Sequence, residues 1–194
     1  MLLIRKPEPD TIRTFLSNQV SASFSYLETG ATQRILPAGY AINHTRAQLG
    51  QGEATFLAAC SVLQARQQLQ LKWVTSWPRD SLVSNGENVA VIGKALGVWW
   101  LNACRVVYTI DQKMLDEPRF GYAHGTLPDH VARGEERFLV EMTRDDSVWF
   151  DILAFSRPNT LAARFGYPYL RLAQKRFGRH CVRRVQEIVS NSTA

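Results

Sequence analysis

Hydrophobic and polar positions change rhythm twice along the chain. Over residues 7–19, Ile12, Phe15 and Leu16 share one face of a helix introduced by Pro7 and Pro9. Residues 20–39 hold Ser, Thr and Gly with Phe24 and Tyr26 but keep no period, and Leu36-Pro37-Ala38-Gly39 reads as a turn. A strand-length stretch at 40–49 is broken by Gly50-Gln51-Gly52. Phe56, Leu57, Cys60, Leu63 and Gln67 then recur at helical spacing, which predicts a helix from Glu53 to Gln68. A short strand over 69–77 carries Leu71, Trp73 and Val74, and a polar loop follows to Glu87.

From Asn88 to Ser156 the period is two. Val89–Ile92 is one strand; Cys104, Val106, Tyr108 and Ile110 alternate in the next. Phe120, Tyr122 and His124 alternate in a third, Glu136, Phe138, Val140 and Met142 in a fourth, and Trp149, Asp151, Leu153 and Phe155 in a fifth. Short loops between them predict antiparallel neighbours, and with no interleaved helices the sheet is not a parallel doubly wound one. After Arg157-Pro158 the period is helical to about Val189, with Leu161, Phe165, Tyr169, Ala173, Phe177, Cys181 and Val185 at every fourth position. Pro168 predicts a break into a short first piece and a long second one.

This order defines an α+β class: a curved antiparallel β-sheet wrapped on a long C-terminal amphipathic helix. It divides into an N-terminal helical extension (1–23), one domain (24–189) and a flexible tail (190–194). The arrangement resembles the helix-grip architecture of the birch-pollen-allergen and START-like superfamily, and that resemblance implies an apolar cavity between sheet and helix.

Ordered blocks carry a closer resemblance. They include Leu36-Pro37-Ala38-Gly39-Tyr40, Leu49-Gly50-Gln51-Gly52-Glu53, Leu101-Asn102-Ala103-Cys104 through Tyr108, and Tyr122-Ala123-His124-Gly125-Thr126-Leu127-Pro128. Gly134-Glu135-Glu136-Arg137-Phe138, Asp146-Ser147-Val148-Trp149-Phe150 and Phe155-Ser156-Arg157-Pro158 complete them. Together they resemble the family catalogued as domain of unknown function 1990, from about residue 24 to 185. The resemblance carries over no catalytic residue.

Composition narrows the setting. With 194 residues, 45% of them hydrophobic, the chain can bury a core without staples and is not a disordered polymer. No apolar run approaches the ~18–20 residues of a membrane span. Cys60, Cys104 and Cys181 form no CxxC, and three cysteines without a secretory signal indicate a reducing, cytoplasmic setting. The net charge of +6 is unevenly spread. Residues 157–194 hold eight Lys/Arg against one acid, whereas the rest holds 15 bases and 16 acids.

Candidate chemistry follows from register. A two-residue turn at Asp145-Asp146 pairs Met142 with Trp149, Val140 with Asp151, Phe138 with Leu153 and Glu136 with Phe155. Closing the Leu127–Arg133 loop with Thr126 opposite Gly134 pairs Phe120 with Val140, Tyr122 with Phe138 and His124 with Glu136. Both registers place His124, Thr126, Glu136 and Asp151 on one face amid Tyr122, Phe138 and Trp149. A carboxylate in an apolar wall needs a donor or has its pKa raised, and His124 is the expected donor for Glu136. These residues read either as polar anchors of a ligand cavity or as a buried network fastening the sheet.

Other residues read more simply. Arg105 and Arg137 fall on the outer face as ion-pair partners for Glu135 and Glu141. Arg157 is assigned a structural role at the strand–helix junction. Gly50-Gln51-Gly52-Glu53 lacks both GxGxxG and a Walker lysine and reads as a helix entry. The four histidines show no metal-ligand spacing, so neither metal nor cofactor is expected. Trp99-Trp100 reads as strand-flanking core, with an exposed anchor as the alternative. Arg171, Lys175, Arg179 and Arg183 form a basic stripe opposite the apolar one. It reads as a solvated face or an anionic-membrane contact, and nucleic acid is disfavoured for want of interleaved aromatics.

The function these features predict is a soluble binding module for a small, largely apolar ligand, lipid- or isoprenoid-like. Two alternatives stand beside it: an enzyme of the same fold using His124, Glu136 and Asp151 as acid–base groups, and a peripheral membrane protein.

Overall fold

The computed structural model describes residues 1–79, 81–160, 163 and 165–193. Strand β1 is Leu2–Leu3 and helix α1 is Pro9–Ser17; β2 (Ala41–Gln51) runs directly into α2 (Gly52–Gln64). Strands β3 (Val74–Trp77), β4 (Asn88–Ala95), β5 (Val98–Gln112), β6 (Arg119–Thr126), β7 (Ala132–Met142) and β8 (Ser147–Pro158) follow, then helix α3 (Tyr167–Thr193). The sheet is antiparallel, in the order β2-β8-β7-β6-β5-β4-β3, and β1 adds to β5 at Trp99 and Trp100. Helices α2 and α3 lie against its inner face.

The inner core takes one side of each central strand. Tyr122, Phe138 and Phe150 pack with Phe56 and Leu63 of α2 and with Cys181 and Val185 of α3. Each such large apolar side chain contributes about 1.5–3 kcal/mol on burial. On α2 the buried positions include Phe56, Ala59, Cys60 and Leu63, while Leu57 faces solvent. The helix also ends at Gln64, short of the expected Gln68: Arg66 turns left-handed (φ 52°) and its buried guanidinium pairs with Glu87.

The stripe on α3 passes from core to surface. Val189, Val185 and Cys181 are fully buried, but Tyr169 and Phe165 are exposed. Leu161 lies outside the described residues. Pro168 sits at the second position of α3, where a missing N–H breaks no helical bond. Gly178 lets α3 lie close on β2, because a Cβ there would meet Thr45 Oγ1 at 2.7 Å. The helix continues past the expected end at Val189, through Thr193.

The outer face of the sheet is covered as well. Ile12, Phe15 and Leu16 of α1 pack on Ala90, Ile92, Leu101 and Ala103 of β4 and β5. The irregular segment after α1 crosses the other strands, with Tyr26 and Ala31 buried on Phe155. Arg105 is a clamp rather than a surface ion pair, donating to the carbonyls of Gln19, Val20 and Ala22. Glu135 is buried beneath the same segment.

The β6–β7 register matches the expected one: Phe120–Val140, Tyr122–Phe138 and His124–Glu136 are partners. The β7–β8 register is shifted by one residue. Met142 pairs with Val148, Val140 with Phe150, Phe138 with Ile152 and Glu136 with Ala154. The cause is the turn. Three residues, Arg144, Asp145 and Asp146, link Thr143 to Ser147, and Asp146 adopts φ 61°. The Asp145 carboxylate accepts from Thr143 Oγ1 at 2.6 Å and Ser147 Oγ at 3.0 Å, which stabilises the longer loop. One extra loop residue reverses every side chain of β8, so Trp149, Asp151, Leu153 and Phe155 face outward. An irregularity between Val106 and Tyr108 does the same on β5, where Tyr108 reaches Thr32 of the outer layer.

Candidate cavity between sheet and helix

A cavity of about 400 Å³ lies between the sheet and the first half of α3, away from the packed end of the core. Its walls are mostly apolar, with Trp73, Val91, Trp100, Leu170, Ala173 and Phe177 among them. Leu96 and Tyr169 line it and are also exposed, which places its mouth between the β4–β5 turn and the start of α3. Trp100 thus belongs to the cavity, while Trp99 lies beneath the ammonium groups of Lys6 and Lys94 on the outer side.

His124, Thr126 and Glu136 line the cavity. Strand alternation puts them there: His124 and Thr126 are two apart on β6, and Glu136 faces His124 from β7. Tyr122 and Phe138 stand behind them as fully buried core, each packed against the His124 ring. Asp151 and Trp149 are not part of the cavity. Asp151 lies on the outer face, bonded to Arg137 at 2.8 Å and to His44 Nε2 at 2.5 Å, and the Arg46 guanidinium sits over Trp149. The three-group acid–base set of His124, Glu136 and Asp151 is therefore split by the sheet.

The polar lining residues differ in how well they are satisfied. Thr126 Oγ1 accepts from Gly134 N–H at 2.9 Å and contacts Ser25 Oγ at 2.7 Å. Asn102, one alternation before Cys104, bonds to Val91 and Val131. Asn43 donates to Gln174, which donates to Ser156, stitching β2, α3 and β8 along the rim. Asn102 was legible by extending the β5 alternation backwards; Asn43 and Gln174 had no local signal, since each meets its partner only in the fold.

His124 and Glu136 stand apart from these. Among the described residues neither makes a hydrogen bond, and the expected bond between them is not formed; His124 Nε2 is buried and unpartnered. Burial pushes the Glu136 carboxyl up to about 7. Burial, with the Arg66 charge adding to it, pushes the His124 imidazole down to about 3, so it is neutral at physiological pH. The Cys104 and Cys181 thiols are raised by burial first and by the Glu136 charge second.

The basic stripe is a separate surface. Lys175, Arg179 and Arg183 lie along α3 clear of the cavity, whereas Arg171 is tied down by bonds to Gln174 and the Ile42 carbonyl.

A curled antiparallel sheet, a long C-terminal helix and a cavity between them define a START-like fold. Solved structures agree at the level of fold. A START superfamily protein from Mycobacterium smegmatis superposes with a TM-score of 0.51 at 14% identity, covering 79% of this chain and 99% of that one. A protein from Thermus thermophilus gives 0.53 at 11% identity, covering 79% and 100%. Within that class the chain belongs to the family described as domain of unknown function (DUF1990), whose model matches residues 25–184. It is similar to a UPF0548 protein of Deinococcus radiodurans, 34% identical over 196 residues, covering 94% of this chain and 96% of that protein. A UPF0548 protein of Dictyostelium discoideum is 30% identical over 195 residues, covering 91% and 90%.

Proposed function

We propose that this protein is a binding module for a small, largely apolar ligand held between the sheet and α3. One observation carries the reading: the apolar cavity of about 400 Å³ opens beside Leu96 and Tyr169 and is lined by His124 and Glu136, whose side chains make no hydrogen bond among the described residues. Its volume falls within the ~300–1,000 Å³ of small-molecule sites. Structural polar groups are ordinarily satisfied within the protein, whereas groups kept for a ligand are satisfied on binding. A cytoplasmic setting goes with this reading, supported by the free, buried state of Cys60, Cys104 and Cys181.

Native mass spectrometry of the protein purified from its own host tests it. A co-purified lipid- or isoprenoid-like mass is expected. An apo mass that stays unchanged on incubation with apolar ligands overturns the reading.

A second reading, peripheral contact with an anionic membrane, draws on the surface near the mouth. Leu96, Phe165, Tyr169 and Leu172 are exposed there, and the basic side chains of α3 continue from them. Among the described residues no helix is long and apolar enough to cross a membrane.

A further inference from the structure

The chemistry around Glu136 narrows the ligand, and this step rests on the cavity reading above. Glu136 carries a carboxyl on the cavity wall that forms neither an ion pair nor a hydrogen bond with any described residue; Lys94, which also lines the cavity, sits over the Trp99 ring instead. The groups around it supply no compensation. On β6 they are the neutral His124 and the Tyr122 hydroxyl; the hydroxyl accepts from Gln68 Nε2, and neither group is hydrogen-bonded to Glu136. On β5 and α3 they are the thiols of Cys104 and Cys181, both held protonated, and on β8 the partner is Ala154. Arg66 lies near enough to influence His124 and Tyr122, but its guanidinium is committed to Ser81 and Glu87.

We propose that the ligand carries a protonated amine on an apolar body, with the nitrogen at Glu136 and His124 and the body toward Trp73 and Phe177. An ammonium offers several N–H donors to two carboxylate oxygens and a neutral imidazole nitrogen, and it also neutralises the charge. A hydroxyl offers one donor and leaves the charge uncompensated in an apolar wall. An apolar carboxylate meets like charge there.

Isothermal titration calorimetry of the full chain with octylamine, octanol and octanoate, at pH 6 and pH 8, tests this. Octylamine binds about tenfold or more tighter than octanol at pH 8. Its affinity falls at pH 6, where Glu136 holds its proton, while octanol binding does not fall there, because the charge it leaves uncompensated is gone. Octanoate is the weakest at pH 8. Glu136→Gln abolishes the preference for the amine over the alcohol and does not weaken the alcohol. Equal binding of amine and alcohol to the unmodified chain at pH 8, or an amine preference that survives Glu136→Gln, overturns the amine while leaving the cavity reading intact. Binding of none of the three overturns both. The pH comparison on the unmodified chain decides the matter even if the variant does not fold.

Discussion

Glu135 and Glu136 are chain neighbours whose carboxylates lie on opposite faces of the sheet in opposite states of satisfaction. Glu135 accepts from Tyr26 Oη at 2.8 Å, Gly30 N at 2.7 Å, Thr32 N at 3.0 Å and Thr32 Oγ1. Glu136, one residue on, accepts from none of the described residues. The first fastens the N-terminal segment to the sheet; the second faces the cavity.

Glu135→Ala strands the donors of Tyr26, Gly30 and Thr32, so it costs about 3 kcal/mol, read as a lowered urea midpoint. Native proteolysis should then cut first between Val20 and Tyr40. Glu136→Gln costs nothing comparable, because it strands no donor. Equal destabilisation by the two variants would contradict the assignment of faces.

The pH dependence of stability follows from three groups that line the cavity. Glu136 is raised from 4.5 to about 7. Its contribution is therefore whole below about 4.5 and is lost as pH rises through 7. His124 and His130 are lowered from 6.5 to about 3 and about 4. Theirs is whole above 6.5 and is lost as pH falls through those lower values. Glu136→Gln should stabilise the chain by about 2 kcal/mol at pH 8 and leave it unchanged at pH 5, measured by urea unfolding. A gain of the same size at both pH values would show that the carboxyl is not raised.

Asp151→Leu separates the two registers of β8. Asp151 holds Arg137 and His44 on the outer face, so the variant loses about 2 kcal/mol of stability and keeps its ligand affinity. Lost affinity in a folded variant would place Asp151 inside.

Filling the cavity tests the binding site without touching a polar group. Ala173→Trp projects from α3 into the space between Trp73 and Phe177. Uptake of an apolar probe should fall about tenfold or more while stability changes by less than about 1.5 kcal/mol. Unchanged uptake would locate binding elsewhere.

Lys175→Glu, Arg179→Glu and Arg183→Glu together test the membrane contact. Each basic residue near an anionic surface is worth ~1 kcal/mol at most, so vesicle binding is weak and salt-sensitive. Sedimentation with anionic vesicles at low salt should show binding that the triple variant and physiological salt both abolish. Equal binding to neutral vesicles would remove the electrostatic explanation.

The amino-acid sequence by itself determined the order of elements, the antiparallel sheet under a C-terminal helix, and the inward placement of His124, Thr126 and Glu136. Those features rest on local periodicity, and on a β6–β7 register anchored by Thr126 beside Gly134. Only the tertiary structure decided the facing of β8. Its two faces read alike, with Val148, Phe150 and Ile152 on one and Trp149, Leu153 and Phe155 on the other, because the N-terminal layer covers the outer face as α2 and α3 cover the inner one. With both faces covered, hydrophobic pattern no longer selects a register, and the left-handed residue Asp146 in the preceding turn does so instead. The same outer layer buried Glu135 and freed Glu136, a division between adjacent identical residues that depends on what each face of the strand meets across the fold.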